Sequence, residues 1–213
     1  MTCTSTGCGG DTVKVSLTGV HLGQALVAIL AVLVIGGEYG SGMVRTTLTA
    51  VPRRATVLAA KAITVSGVVA VAGTVAVLGP LLTGRLLLPG PADQALSPAD
   101  GPTLRAVVGS VLYLVLIALL GLGVATAVRD SATGIGVVLG LLYIVPIVSL
   151  TIGDPHWQRL LQKVAPMSAG LAVQATTDLG SLPIGPWAGL GVTAGWAAAA
   201  LLAGGLLLRG RDV

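Results

Sequence analysis

The stretch Val111-Leu-Tyr-Leu-Val-Leu-Ile-Ala-Leu-Leu-Gly-Leu-Gly123 is apolar on every face. A strand of a membrane β-barrel would alternate polar and apolar residues over about 10 positions. That alternation is absent, so the stretch reads as a helix. Followed outward to its flanking charges it covers 106–128, and roughly 20 apolar residues are enough to cross a bilayer. Four other stretches free of Asp, Glu, Lys and Arg meet or approach that length: 20–37, 62–84, 131–153 and 179–208. In the last, the helix is expected to begin near Trp187. None of the five carries an ionised residue at its centre, where one would cost about 2.5–3.5 kcal/mol on the insertion scale.

Composition points the same way. The 213 residues are 54% hydrophobic and 9% charged, and the mean hydropathy is +0.95. Soluble domains carry about 25% charged residues. A chain of this size cannot hide so much apolar surface from water, so its solvent is lipid. The fold class expected is all-α, a polytopic transmembrane helix bundle of about five spans. Its parts are an outer N-terminal tail (1–19), a membrane domain (20–208) and a short tail (209–213). The net charge of +4 is spread over separated loops, which argues against a nucleic-acid partner.

Those loops set the orientation. If five spans alternate, the side holding Arg45, Arg53, Arg54, Lys61, Arg129, Arg209 and Arg211 has seven basic and three acidic residues. The other side has five of each. The basic excess places the first side, including the C-terminus, in the cytoplasm. The N-terminal tail then lies outside, without a cleavable-signal pattern. Cys3 and Cys8 lie in it, read as free thiols or as a disulfide pair.

Aromatics are scarce, with Tyr39, Trp157 and Trp187 near the expected interfaces and Tyr113, Tyr143 and Trp196 deeper. Helix packing is therefore expected to rest on small residues, and the pairs Gly136/Gly140 and Gly191/Gly195 have the spacing that lets backbones approach. Pro80 and Pro146 are expected to kink or end helices. The chain has no G-x-x-x-x-G-K-[ST] loop, no H-E-x-x-H and no Cys/His cluster. No span carries an ionisable residue, which disfavours a proton relay. The expectation is a membrane protein that is not an enzyme and binds no metal.

The informative cytoplasmic segment is 38–54, Glu38-Tyr-Gly-Ser-Gly-Met-Val-Arg-Thr-Thr-Leu-Thr-Ala-Val-Pro-Arg-Arg54. On a helical wheel Met43, Val44, Thr47, Leu48 and Val51 share one side, and Arg45, Thr46, Thr49 and Arg53 the other. An amphipathic helix of about three turns is expected along the membrane face, with Ser41 as N-cap and Pro52 as its stop. Periodicity alone fits either an interfacial anchor or a helix that docks a partner.

The residues themselves resemble a known family. Glu38, Tyr39, Gly42, Val44, Arg45, Thr47 and Leu48, followed by Pro52-Arg53-Arg54 and Lys61, are similar to the type 2 ATP-binding-cassette (ABC) exporter permeases. A weaker echo is Ala165-Pro-Met-Ser-Ala-Gly170 before the last span. Those permeases have six spans with both ends inside, so the resemblance implies that the first span is missing here. It also implies a permease subunit that pairs with a second permease copy, identical or paralogous, and with a cytoplasmic ABC ATPase subunit. ATP and Mg would belong to that ATPase, with no cofactor in this chain. The setting would be a bacterial plasma membrane. Coupling to the ATPase would fall to Glu38, Tyr39, Gly42, Arg45, Thr46, Leu48 and Thr49. Glu38 would stand at the hinge, pairing with the partner or with Arg45. Arg53, Arg54 and Lys61 would meet lipid headgroups, at about 1 kcal/mol each.

On the outer side, within 154–178, Trp157, Leu160, Leu161, Val164 and Met167 recur every three or four residues. A second short amphipathic helix is expected there, at the outer interface. The loop 84–105, with four prolines, reads as irregular. Two functions are carried forward. One is an exporter permease. The other is a non-transporting structural or assembly protein anchored by its amphipathic helix.

Overall fold

A computed structural model describes residues 17–41, 54–87, 101–177 and 179–210. The protein is an all-α bundle, with no strand among the described residues. Five helical stretches are long and apolar enough to cross a membrane. The expected amphipathic helix in 42–53, with Gly42, Arg45, Thr46, Leu48, Thr49 and Arg53, lies outside the described residues. So do Cys3, Cys8 and most of the proline-rich loop.

Helix α1 (Gly19–Ser41) has two distinct faces. Gln24, Ala28, Ala31, Val32 and Ile35 are buried, whereas Leu22, Leu26, Leu30 and Leu33 are exposed. The first set recurs at helical spacing and forms one stripe. That stripe faces the protein, and the leucines face outward. Leu17, assigned to the tail by sequence, is buried with the core. Ser41 is the last residue of α1 rather than the cap of a following helix.

Helix α2 (Arg54–Leu87) begins and ends outside the expected 62–84. Its 34 residues span about 51 Å, more than the roughly 30 Å hydrocarbon core. Pro80 lies inside it and does not end it. Thr64, Thr74 and Thr83 each donate to the carbonyl four residues earlier, at 3.0, 2.7 and 2.8 Å. These three hydroxyls are therefore satisfied on the helix itself.

Helix α3 (Gly101–Val128) is the central element, packed by α1, α2, α4 (Ser131–Leu139) and α8 (Pro186–Gly210). Its closest approach is to α8, where a Cβ on Gly123 would lie 2.5 Å from the Ala200 carbonyl carbon. A Cβ on Gly204 would lie 2.8 Å from the Gly123 oxygen. The two glycine pairs expected from sequence are not the ones used: Gly136, Gly191 and Gly195 have open space where a Cβ would go, and Gly140 meets just Ile144 of its own segment. Spacing offers many glycines, and helix rotation decides which ones meet a neighbour.

The fourth span is α4, a wider π-type turn at Gly140–Ile144, then α5 (Val145–Thr151). The wide turn has a cause in Pro146, which has no N–H for the Leu142 carbonyl and would crowd it in a regular helix. At the far end Asp154 caps α6 (Pro155–Val164), accepting from the His156 N–H at 2.8 Å. The residue before a proline avoids the helical region. Ala165 accordingly breaks the helix at φ −64°, ψ 128°, and α7 (Pro166–Leu171) turns inward. Met167 therefore belongs to α7 and not to the amphipathic helix predicted through it. After α7 a single 3₁₀ turn (Ala172–Gln174) is buried against α3 and α8.

Candidate functional site

Five helix ends meet near Glu38. The α1 C-terminus and the α2 N-terminus are joined there by an ion pair between Glu38 and Lys61, whose side chains are 31% and 18% exposed. Sequence reasoning offered Glu38 a partner subunit or Arg45, and gave Lys61 to lipid headgroups. The structure brings the two together across neighbouring helices. The side chain of Arg54 lies outside what is described, although its backbone opens α2.

Tyr39 carries the tie further. The Arg129 guanidinium lies 5.8 Å from its ring centre, within cation–π reach. Arg129 also donates to the Leu207 carbonyl of α8 at 3.4 Å. Its backbone N–H bonds the Ala125 carbonyl at 2.8 Å, ending α3. It does so at φ 63°, a left-handed conformation that side chains other than glycine seldom adopt. The positive group sits at the C-terminal ends of α3 and α8, where helix dipoles favour it. Its Nε is buried without a hydrogen-bond partner. Next to it Asp130 caps α4, accepting from the Thr133 N–H at 2.7 Å. That bond, backbone first and with the Thr133 side chain second, holds the Asp130 carboxyl below the usual carboxylate range.

A groove of about 430 Å³ opens between α1 and α2, lined by Val27, Leu30, Val34, Val65 and Val68 and ending at Glu38 and Lys61. Among its lining residues, Thr64 is the other polar one, and its hydroxyl is already bonded to Ala60.

The opposite half of the bundle holds a polar network that the sequence reading did not find. Tyr113 of α3 donates to the Gln24 Oε1 of α1. Gln24 donates to the Tyr143 hydroxyl at 3.2 Å, and Tyr143 donates to the His21 carbonyl at 2.8 Å. Nearby, Gln174 donates to Ser110 at 3.2 Å and Arg105 to the Ala175 carbonyl at 2.7 Å. The signal was present: a lone amide and two tyrosines inside apolar runs must find partners where there is no water. Arg105, placed in a loop by sequence, belongs to the first turns of α3.

On α6, Trp157, Leu160 and Val164 are exposed, Leu161 is half-buried and none of its residues is buried. The apolar face of this helix is therefore presented outward, as for an element lying on a membrane surface. Its C-terminal carbonyl at Val164 accepts from the Trp196 indole of α8 at 2.9 Å. No family model, curated protein or solved structure matches this chain.

Proposed function

We propose that the protein is the membrane-spanning permease subunit of an ATP-driven ABC exporter, driven by a separate cytoplasmic ATPase subunit. The observation that carries this reading is the Glu38–Lys61 ion pair. It joins the two helices that the segment 42–53 connects in sequence. A partner pressing on that segment would therefore act on α1 and α2 together, through the ends that this pair joins. The Tyr39–Arg129–Leu207 contacts extend the same tie to α3 and α8. The exporter-like pattern from Glu38 to Lys61 supports the same role. The charge asymmetry of the loops supports a cytoplasmic position for this end, and the membrane in this reading is a bacterial plasma membrane. ATP and Mg would bind the ATPase, and a second permease copy would complete the path.

The test uses the chain in its native membranes, where this reading requires a separate ATPase. That ATPase is expected to co-purify in mild detergent. Arg45→Glu should weaken its binding by roughly 10- to 150-fold, the loss of one charge-assisted contact. Glu38→Ala should leave binding but lower transport per ATP, and the swap Glu38→Lys with Lys61→Glu should restore it. Wild-type binding and transport in both single variants would leave the segment as an anchor, and the assembly-protein reading would replace this one.

A further inference from the structure

The groove between α1 and α2 has the depth of one lipid leaflet. Along α1 it runs from Val27 to Glu38, and along α2 from Ala60 to Ala72. Eleven residues of helix rise about 16 Å, half of a hydrocarbon core of roughly 30 Å. Its charged residues, Glu38 and Lys61, stand at one end, and the rest of the lining is apolar apart from Thr64. Its volume of about 430 Å³ lies within the range of small-molecule sites. In a bilayer such a groove faces acyl chains directly, because Leu30, Val34 and Val68 on its rim are exposed.

The end of the groove decides which lipid. Glu38 and Lys61 present both signs of charge side by side and remain partly exposed, at 31% and 18%. An aminophospholipid headgroup carries the complementary pair. Its phosphate would accept from the Lys61 ammonium while its own ammonium donates to the Glu38 carboxylate. A quaternary ammonium has no N–H to give Glu38. A glycerol headgroup has no positive charge for it. We propose that the α1–α2 groove is a binding site for one aminophospholipid of the leaflet on the Glu38 side. One of its two acyl chains lies along α1 and α2 and its headgroup docks on the Glu38–Lys61 pair. This site requires a bilayer and no transport activity, so it stands apart from the permease reading.

The experiment places the full chain in vesicles doped with a phosphatidylethanolamine bearing a photoreactive group at mid-chain. Matched phosphatidylcholine and phosphatidylglycerol probes are run alongside. Cross-linked peptides are mapped by mass spectrometry. Groove residues of α1 and α2 should be labelled about two- to fivefold more by the ethanolamine probe, the discrimination a partly exposed charge pair supports. Glu38→Gln with Lys61→Gln should abolish that preference and keep the labelling. Val68→Trp should reduce labelling of the groove with every probe, while Val71 and Val75 on the exposed face of α2 stay labelled. Equal labelling by the three headgroups would overturn the proposal. So would a groove shielded from all three lipids while Val68→Cys forms a disulfide with a second copy.

Discussion

Helices α2 and α3 are both long and apolar enough to cross a membrane, yet they have opposite fates. In α3, 61% of the membrane-length window is buried in the protein, and in α2 it is 11%. Hydrophobicity does not separate them, because lipid is as apolar as a protein interior and offers no drive to bury one leucine over another. What separates them is the placement of small and polar groups. In α3, Gly109, Gly121 and Gly123 face neighbouring elements, and Ser110 and Tyr113 bond to other segments. In α2, Gly67 and Gly79 face open space, Gly73 meets side chains of α3 at ordinary to slightly tight distances, and Thr64, Thr74 and Thr83 bond to their own helix.

The sharpest way to break this comparison is one substitution made on both helices. Gly123→Ala puts a methyl group 2.5 Å from the Ala200 carbonyl carbon and 2.6 Å from the Leu201 nitrogen. Both atoms are backbone, so no side chain can turn away, and overpacking of this kind costs about 1–3 kcal/mol. Gly67→Ala on α2 meets nothing within 4 Å and should gain up to about 1 kcal/mol of helix propensity. Unfolding of both variants by denaturing detergent, followed by circular dichroism, should shift the midpoints in opposite directions. A shift of the same sign would mean that α2 is packed as α3 is.

The polar network gives the next effect in size. Gln24→Leu leaves the Tyr113 hydroxyl without its acceptor and Tyr143 without a donor. Hydrogen bonds between membrane helices average about 0.6 kcal/mol, reaching about 1.7. A loss in that range is expected for Gln24→Leu and for Tyr113→Phe. Because the two residues share one bond, the double variant should lose less than the sum of the two. Thr74→Val on α2 should be near neutral, since its hydroxyl serves its own helix. Additive losses at Gln24 and Tyr113 would show that the two do not act as a pair.

The contrast also explains what the sequence could tell. The five spans were legible because each is an uninterrupted apolar run between charges, and that signal needs no tertiary information. The bend at Ala165 was legible in principle from Pro166, but the regular recurrence of Trp157, Leu160, Leu161, Val164 and Met167 masked it. The glycines that matter were hidden among 31 candidates. Spacing four apart is common in such a sequence, and only rotation of the helices selects Gly123 and Gly204. Glu38 was recognised as a hinge residue, but its partner was not, because Lys61 is a neighbour across two helices and 23 positions away in sequence. Burial of α3 and exposure of α2 could not be read, since both runs are strongly apolar, with mean hydropathies of 2.6 and 2.1, and a hydropathy value does not say whether protein or lipid covers a helix.

A smaller effect sharpens the comparison at the turn that joins α3 to α4. The Asp130 carboxyl is held below the ordinary carboxylate range by the Thr133 N–H. A group lowered in this way binds protons more readily in the unfolded chain, so its contribution is present at neutral pH and fades as the pH falls through its folded value. Asp130→Asn caps a helix about as well and carries no charge. The unfolding midpoint of the wild type should therefore drop more on acidification than that of Asp130→Asn. Parallel pH profiles would remove the cap from the list of things that hold the packed side of the bundle.

The smallest effect expected is on the open side, and it is the most direct test of that openness. Val71 of α2 is 70% exposed. In a bilayer its two methyl groups touch lipid tails, and Val71→Ala replaces those contacts with other lipid contacts of nearly the same strength. Nothing is left empty, because lipid flows into the space that a rigid neighbour could not fill. The change in stability should stay within about 0.5 kcal/mol, the usual size at an unpacked surface. Alanine also forms helix slightly more readily than valine, so any shift should favour the variant. The measurement is the unfolding midpoint at two protein-to-lipid ratios. A loss larger than about 1 kcal/mol that grows with the protein-to-lipid ratio would mean that another chain covers α2, since stabilisation by association depends on concentration. In that case the difference between α2 and α3 would be a property of the isolated chain, and the assembled protein would bury both.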